Sequence, residues 1–252
     1  MLTGPTLEKL YALKLHGLAT AFQEQLRQPQ YADLAFEERV GLLVDAEWTA
    51  RENRRQARRF KTARLKLAAC LEDVDYHHPR GLDKGVLRSL GTCQWLAQHH
   101  NVIINGPTGT GKTYLACALA TQAVRQGYTA LYVRVPRLFQ ELALARGDGS
   151  YPKLLARLAR TDLLLLDDWG LAPLTEVERR DLLEIVDDRH GSRSTLLAGQ
   201  LPITHWHEHI GDPTLADAIC DRLIHNAHKL TLKGVSMRKT RSGLTPPEPC
   251  DT

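Results

Sequence analysis

The chain has 252 residues, 43% of them apolar and 25% charged, which suits a globular protein of one large domain, or one domain with an appendage. Its longest uninterrupted apolar run, Tyr114 to Ala120, is far shorter than the roughly 18 residues a membrane helix needs. Five cysteines form no CxxC pair and no leader-like segment opens the chain, so a soluble, cytoplasmic protein without membrane, disulfide scaffold or zinc ribbon is expected. The formal net charge of +4 is unevenly placed: residues 1–50 hold 4 Lys/Arg against 7 Asp/Glu, residues 51–66 hold 8 against 1, and residues 67–252 hold 21 of each. The whole positive excess is therefore local, a pattern that an anionic polymer would read.

In chain order, Leu7, Leu10, Tyr11, Leu15, Leu18, Phe22 and Leu26 recur at helical spacing until Pro29 intervenes. A second periodic segment runs from Phe36 through Val40, Leu43, Val44 and Trp48. With neither Pro nor Gly after Gly41, it predicts a helix continuing to Leu71, roughly 50 Å long at 1.5 Å per residue. Residues 1–71 thus read as an all-α N-terminal domain that binds DNA or a partner. A turn-rich join, Asp75 to Gly85, opens a different texture. Apolar bursts at Val102–Ile104, Ala130–Val135, Leu163–Leu166 and Thr195–Ala198, and more weakly at Lys229–Leu232, alternate with helical patterns near 112–125, 136–145, 151–160, 175–190 and 214–227. That alternation predicts an α/β domain over residues 72–241, a parallel sheet sandwiched by helices. The Pro-rich residues 242–252 read as a disordered tail.

One motif decides the chemistry. Gly106, Pro107, Thr108, Gly109, Thr110, Gly111, Lys112 and Thr113 fit G-x-x-x-x-G-K-[ST] in full, directly after the Val102–Ile104 strand and at the start of a helix. Glycines let successive backbone N–H groups turn inward around phosphate, and the new helix adds unpaired N–H groups and the positive end of its dipole. Lys112 suits the β- and γ-phosphates of ATP and the Thr113 hydroxyl suits Mg²⁺. The Leu163–Leu166 strand then delivers Asp167 and Asp168 to its C-terminal edge, where open α/β sheets bind ligands. Asp167 is expected to hold Mg²⁺ and Asp168 to orient or deprotonate water, with a shorter reach than Glu would have. At the end of the next strand Gln200 is a candidate contact of that water or of the γ-phosphate, while Thr195 lies too early.

Together with these, Leu13–Leu18, Phe36–Arg39, Asp167-Asp168-Trp169-Gly170, Gln200-Leu201-Pro202, Gly211–Ala218, Asp221-Arg222-Leu223 and Ser236-Met237-Arg238-Lys239 resemble the IstB-like transposition helper ATPases, AAA+ relatives of DnaC helicase loaders and DnaA initiators. The resemblance spans about residues 7–241. It implies an AAA+ fold and a protein that accompanies an insertion-sequence transposase, binds ATP and assembles with itself on DNA. It also assigns Arg222 as the arginine finger reaching a neighbouring subunit's ATP, and Arg238 as a γ-phosphate contact within its own subunit. Fingers of this kind are typically worth 10³–10⁵ in rate, so isolated copies would hydrolyse ATP poorly.

Arg51, Arg54, Arg55, Arg58, Lys61 and Arg64 recur mostly at three- and four-residue steps, with Arg59 and Lys66 widening the stripe. Their scarcity of acidic neighbours favours duplex phosphates as the partner over a merely solvated helix face. A helicase loader and a non-catalytic ATP-bound DNA scaffold are the competing expectations. His205, His207 and His209 alternate and would not share a helix face, which argues against a metal there.

Overall fold

The computed structural model describes residues 3–237, so Arg238 and the segment 242–252 lie outside the described residues. It separates into two compact units, Met1–Arg59 and Phe60–Thr252. In the first, the early periodic segment is two helices, α1 (Thr3–Ala12) and α2 (His16–Arg27), because Lys14 turns the backbone to φ 60°. A single turn at Pro29–Tyr31 precedes α3 (Phe36–Ala63). No side chain of α2 itself caps its start. Glu47 of α3 does so instead, accepting hydrogen bonds from the N–H groups of Gly17 (2.8 Å) and Leu18 (3.1 Å) and from Arg51 Nε (2.6 Å). Burial opposes ionisation of this carboxyl, yet those donors hold its pKa below the usual glutamate value.

Helix α3 ends at Ala63, not at Leu71, because Arg64 adopts φ 50° and the chain after it is needed elsewhere. Phe60, Ala63, Leu65, Ala69, Leu71 and Val74 all pack into the core of the second unit, which one straight helical stripe would not allow. For the same reason the division falls between Arg59 and Phe60, twelve residues before the expected boundary at residue 71.

The second unit begins with two helices the periodicity missed, α4 (Lys84–Gly91), capped by the Asp83 carboxylate, and the short α5 (Gln94–Ala97). There follow β1 (Asn101–Asn105), α6 (Lys112–Arg125), β2 (Ala130–Arg134), α7 (Val135–Asp148), α8 (Tyr151–Arg160), β3 (Leu163–Trp169), α9 (Glu176–Arg189), β4 (Ser194–Gly199), α10 (Trp206–Ile210), α11 (Pro213–Ile224) and β5 (Ala227–Thr231). All strands are parallel, in the order β2-β3-β4-β1-β5. Alternate residues feed separate cores: Val102, Ile104, Leu163 and Leu165 pack with α6 on one face, while Ile103, Leu131, Leu164 and Leu166 pack with α7, α9 and α11 on the other. The strands therefore read as unbroken apolar runs, and polar chemistry is confined to their ends. Among the described residues no helix is long and apolar enough to cross a membrane.

Replacing Glu47 with Gln is expected to destabilise the first unit by about 1–3 kcal/mol at neutral pH. Because the folded pKa is lowered, that contribution is complete above the unfolded value and is lost as pH falls through the folded one. Urea denaturation at pH 7 and again near pH 3 should show the wild-type and variant curves converging in acid.

Candidate nucleotide-binding site

The sheet order leaves β1, β3 and β4 side by side, and their C-terminal ends form one cleft of about 640 Å³. The loop after β1 takes positive φ at Gly106, Gly109 and Gly111 (151°, 84° and 92°), conformations that side-chain-bearing residues adopt only with strain. Gly111 starts α6 with no side-chain cap, so the first N–H groups of that helix remain available to an anion. Thr110, fully buried, donates from its hydroxyl to the Pro107 carbonyl (2.9 Å), and Lys112 Nζ donates to the same oxygen (2.7 Å). Thr108, Gly109, Gly111, Lys112 and Thr113 line the cleft. Gly106, Pro107 and Thr110 shape the loop behind it.

Asp167, 2% exposed, is the meeting point of three elements. The Thr113 hydroxyl lies 3.1 Å from its Oδ1 and 3.0 Å from its Oδ2, and the Tyr132 hydroxyl donates to Oδ2 from the neighbouring strand at 2.7 Å. Burial, and then the adjacent carboxylate, push the Tyr132 phenol far above its ordinary pKa, so it stays a donor. A hydroxyl and a carboxylate that converge in this way, both oxygen donors on fixed elements, fit Mg²⁺.

Asp168 faces differently because β3 bulges there. Leu166 pairs with Leu197 but Trp169 pairs with Gly199, so three residues of β3 oppose two of β4, and Asp168 sits at φ 61°. Its carboxylate accepts from Arg134 Nε at 2.5 Å and remains a quarter exposed on the cleft wall, with Gln200 nearby on the same lining. The bulge is held from below. Trp169 packs edge-on against Trp206 of α10 (ring centroids 5.1 Å apart), whose indole N–H donates to the Leu201 carbonyl. Gly170, at φ 80°, leaves only 2.5 Å between the site of a Cβ and the Leu201 Cβ. The Asp-Asp-Trp-Gly and Gln-Leu-Pro segments are thus one packed corner.

Residues not expected at the cleft complete it. Arg80 is 2% exposed and donates to the carbonyls of Thr110 and Asp75, both at 2.9 Å, which braces the phosphate loop from behind. After β5 the chain returns to that loop, where Met237 N–H donates to the Gly109 carbonyl at 3.0 Å. Lys66, expected among the DNA contacts, instead lines the cleft with Nζ 3.9 Å from Asp167 Oδ2.

Other expected residues lie apart. Arg222 on α11 pairs with Asp187 (2.6 Å) and lines a separate surface depression with His207, Asp217 and His225, away from the nucleotide cleft of its own chain. Arg51, Arg54, Arg55, Arg58 and Arg59 belong to the first unit, Lys61, Arg64 and Lys66 to the second. The basic residues of the first unit do have acidic partners, contrary to expectation: Glu47 pairs with Arg51 and Arg54, and Glu52 pairs with Arg55. His205, His207 and His209 go to separate partners, Glu208, Asp217 and the Trp169 ring.

The sequence profile of the IstB-like ATP binding proteins matches residues 8–244. An insertion sequence ATP-binding protein of Sinorhizobium fredii is 50% identical over 96% of this chain and 98% of its own length. The ATP-binding protein of insertion sequence IS1162 from Pseudomonas fluorescens is 52% identical over 80% of this chain and 88% of its own. Among solved structures, that of DnaI superposes with a TM-score of 0.57 at 23% identity, covering 66% of this chain and 91% of that one; the shared fold is AAA+.

Substituting Gly170 with Ala forces a side chain into positive φ and against Leu201. The expected loss is about 1–3 kcal/mol of stability, readable as a lowered midpoint in thermal unfolding.

Proposed function

Because this chain belongs to the IstB-like ATP-binding proteins, we propose that it is the ATP-dependent helper of an insertion-sequence transposase. It binds ATP with Mg²⁺ in the cleft, assembles with further copies on duplex DNA, and recruits or regulates the transposase there. The observation that carries the nucleotide half is the meeting of the Thr113 hydroxyl with the Asp167 carboxylate beside the uncapped start of α6. The relatives' description as insertion sequence ATP-binding proteins supports the transposition half.

Each side chain then has a task. Lys112 exchanges the Pro107 carbonyl for phosphate oxygens, and the loop N–H groups receive the rest of that charge. Thr113 and Asp167 hold the divalent cation, which when bound would polarise the phosphates. Asp168 orients water toward the γ-phosphate and accepts its proton, and Gln200 steadies the same water. Arg222, outside its own cleft, serves the cleft of the next copy, leaving Asp187 for phosphate as it does so. Arg238, which lies outside the described residues, is assigned the γ-phosphate of its own chain on the family resemblance alone. Arg51, Arg54, Arg55, Arg58, Arg59, Lys61 and Arg64 meet phosphates of the duplex, with no base information in those contacts.

One contact favours a second reading, in which ATP joins copies without turnover: Arg134 already occupies Asp168 at 2.5 Å. Phosphate release with DNA present separates the two. Turnover that falls about 10²-fold or more in Asp168→Asn, with nucleotide binding kept, supports catalysis; equal, negligible release in both proteins supports the scaffold. Lys112→Ala should weaken nucleotide binding at least ~100-fold. If six of the basic side chains meet DNA phosphates, log K for DNA falls against log salt with a slope of about −5, and Arg58→Ala should flatten that slope by about 1.

A further inference from the structure

Lys66 has the residue type and the neighbours of a DNA contact in the sequence, but its surroundings point elsewhere. The chain leaves α3 at the fully buried Ala63 and turns at Arg64. Just beyond that turn, Leu65 and Ala69 pack into the same core as Cys117 of α6, the helix that carries Lys112 and Thr113. The side chain is 43% exposed and sends its ammonium into the cleft, 3.9 Å from a carboxylate whose side chain is only 3% exposed. Among the described residues the side chains that donate hydrogen bonds to Asp167 are the neutral hydroxyls of Thr113 and Tyr132, and the Lys66 ammonium forms the ion pair.

The local charges push the same way. Arg64, Arg134, Arg137 and Arg157 line a groove of about 290 Å³ that Lys66 also borders, with Glu141 as the acidic group among them. Arg134 is paired with Asp168 and Arg137 with Glu141, which leaves Asp167 as the carboxylate that the Lys66 ammonium faces. A lysine ammonium carries three donors on a flexible stem, and this one lines the same cleft as Lys112 and Thr113.

We propose that Lys66 is a nucleotide-site residue rather than a DNA contact, binding the triphosphate directly and competing with the divalent cation for Asp167. This deepens the ATP reading above and rests on it. A divalent cation at Asp167 places two like charges at one carboxylate. The ammonium then moves onto the phosphates, where it adds a second fixed positive charge to that of Lys112. The residue that does this is three positions past the end of the helix bearing most of the basic stretch, so the length of chain between DNA-facing and nucleotide-facing cations is only a few residues.

The test is titration of the full-length protein with a fluorescent ATP analogue, with and without Mg²⁺, in wild type, Lys66→Met, Lys66→Arg and Lys112→Ala. With Mg²⁺ present, Lys66→Met should weaken binding about tenfold and Lys66→Arg should recover most of the loss. With the competitor gone, Lys66→Met should also reach its Mg²⁺-bound plateau at a lower Mg²⁺ concentration than wild type. The salt slope for duplex binding should be the same in Lys66→Met and wild type. The proposal is overturned if Lys66→Met keeps wild-type nucleotide affinity and Mg²⁺ midpoint while its DNA salt slope falls by about 1. Loss of binding in Lys112→Ala alone would sink this inference and leave the ATP reading standing; wild-type binding by Lys112→Ala would sink both.

Discussion

One buried carboxylate organises the site. Asp167 receives a hydroxyl from the phosphate-loop helix, a phenol from the edge strand and an ammonium from the segment after α3. These elements are distant in sequence and reach one another only because the parallel sheet sets β2 beside β3, and β4 and β1 beyond it. A buried carboxylate needs polar partners, and the two hydroxyls and the nearby ammonium supply them at the edge of the cleft.

The apolar design of the sheet serves that arrangement. Both faces of β3 are covered, its four leucines are fully buried, and its carboxylates emerge only where the strand ends. The bulge between Leu166 and Trp169 then separates two adjacent acids into two environments. Asp167 stays in register opposite Arg134 and turns inward, whereas Asp168 is rotated to φ 61° and reaches the Arg134 guanidinium on the cleft wall. Two neighbours of identical chemistry thereby acquire different exposure and different partners, which suits one for holding a cation and the other for handling water. The packed corner of Trp169, Gly170, Leu201 and Trp206 keeps that division rigid.

Much of this was legible in the sequence because it rests on local rules. The G-x-x-x-x-G-K-T pattern, the four leucines before Asp167, and the strand-helix alternation each encode their structure within a few residues, and all five strands fall where the apolar bursts put them. What escaped depends on long-range packing. Helical periodicity had no means of stopping α3 at Ala63, since the residues beyond it keep a helical texture and are drawn off by the core of the second unit. Lys66 reads as one more cation of a basic stripe until the turn at Arg64 carries it to the cleft. Glu47 lies just outside the charge window, so its pairing with Arg51 and Arg54 is invisible to a count. Arg80 sits in a turn-rich join with no pattern at all, and only burial shows that it braces the phosphate loop.

Asp167 is proposed as the point where the divalent cation and the nucleotide meet. Calorimetric titration of ATP into wild type and Asp167→Asn, each with Mg²⁺ and with the metal chelated, tests it most directly. The account predicts that Mg²⁺ tightens binding in wild type and that the two conditions become indistinguishable in the variant. An Asp167→Asn protein that remains folded and keeps the full wild-type response to Mg²⁺ would contradict it.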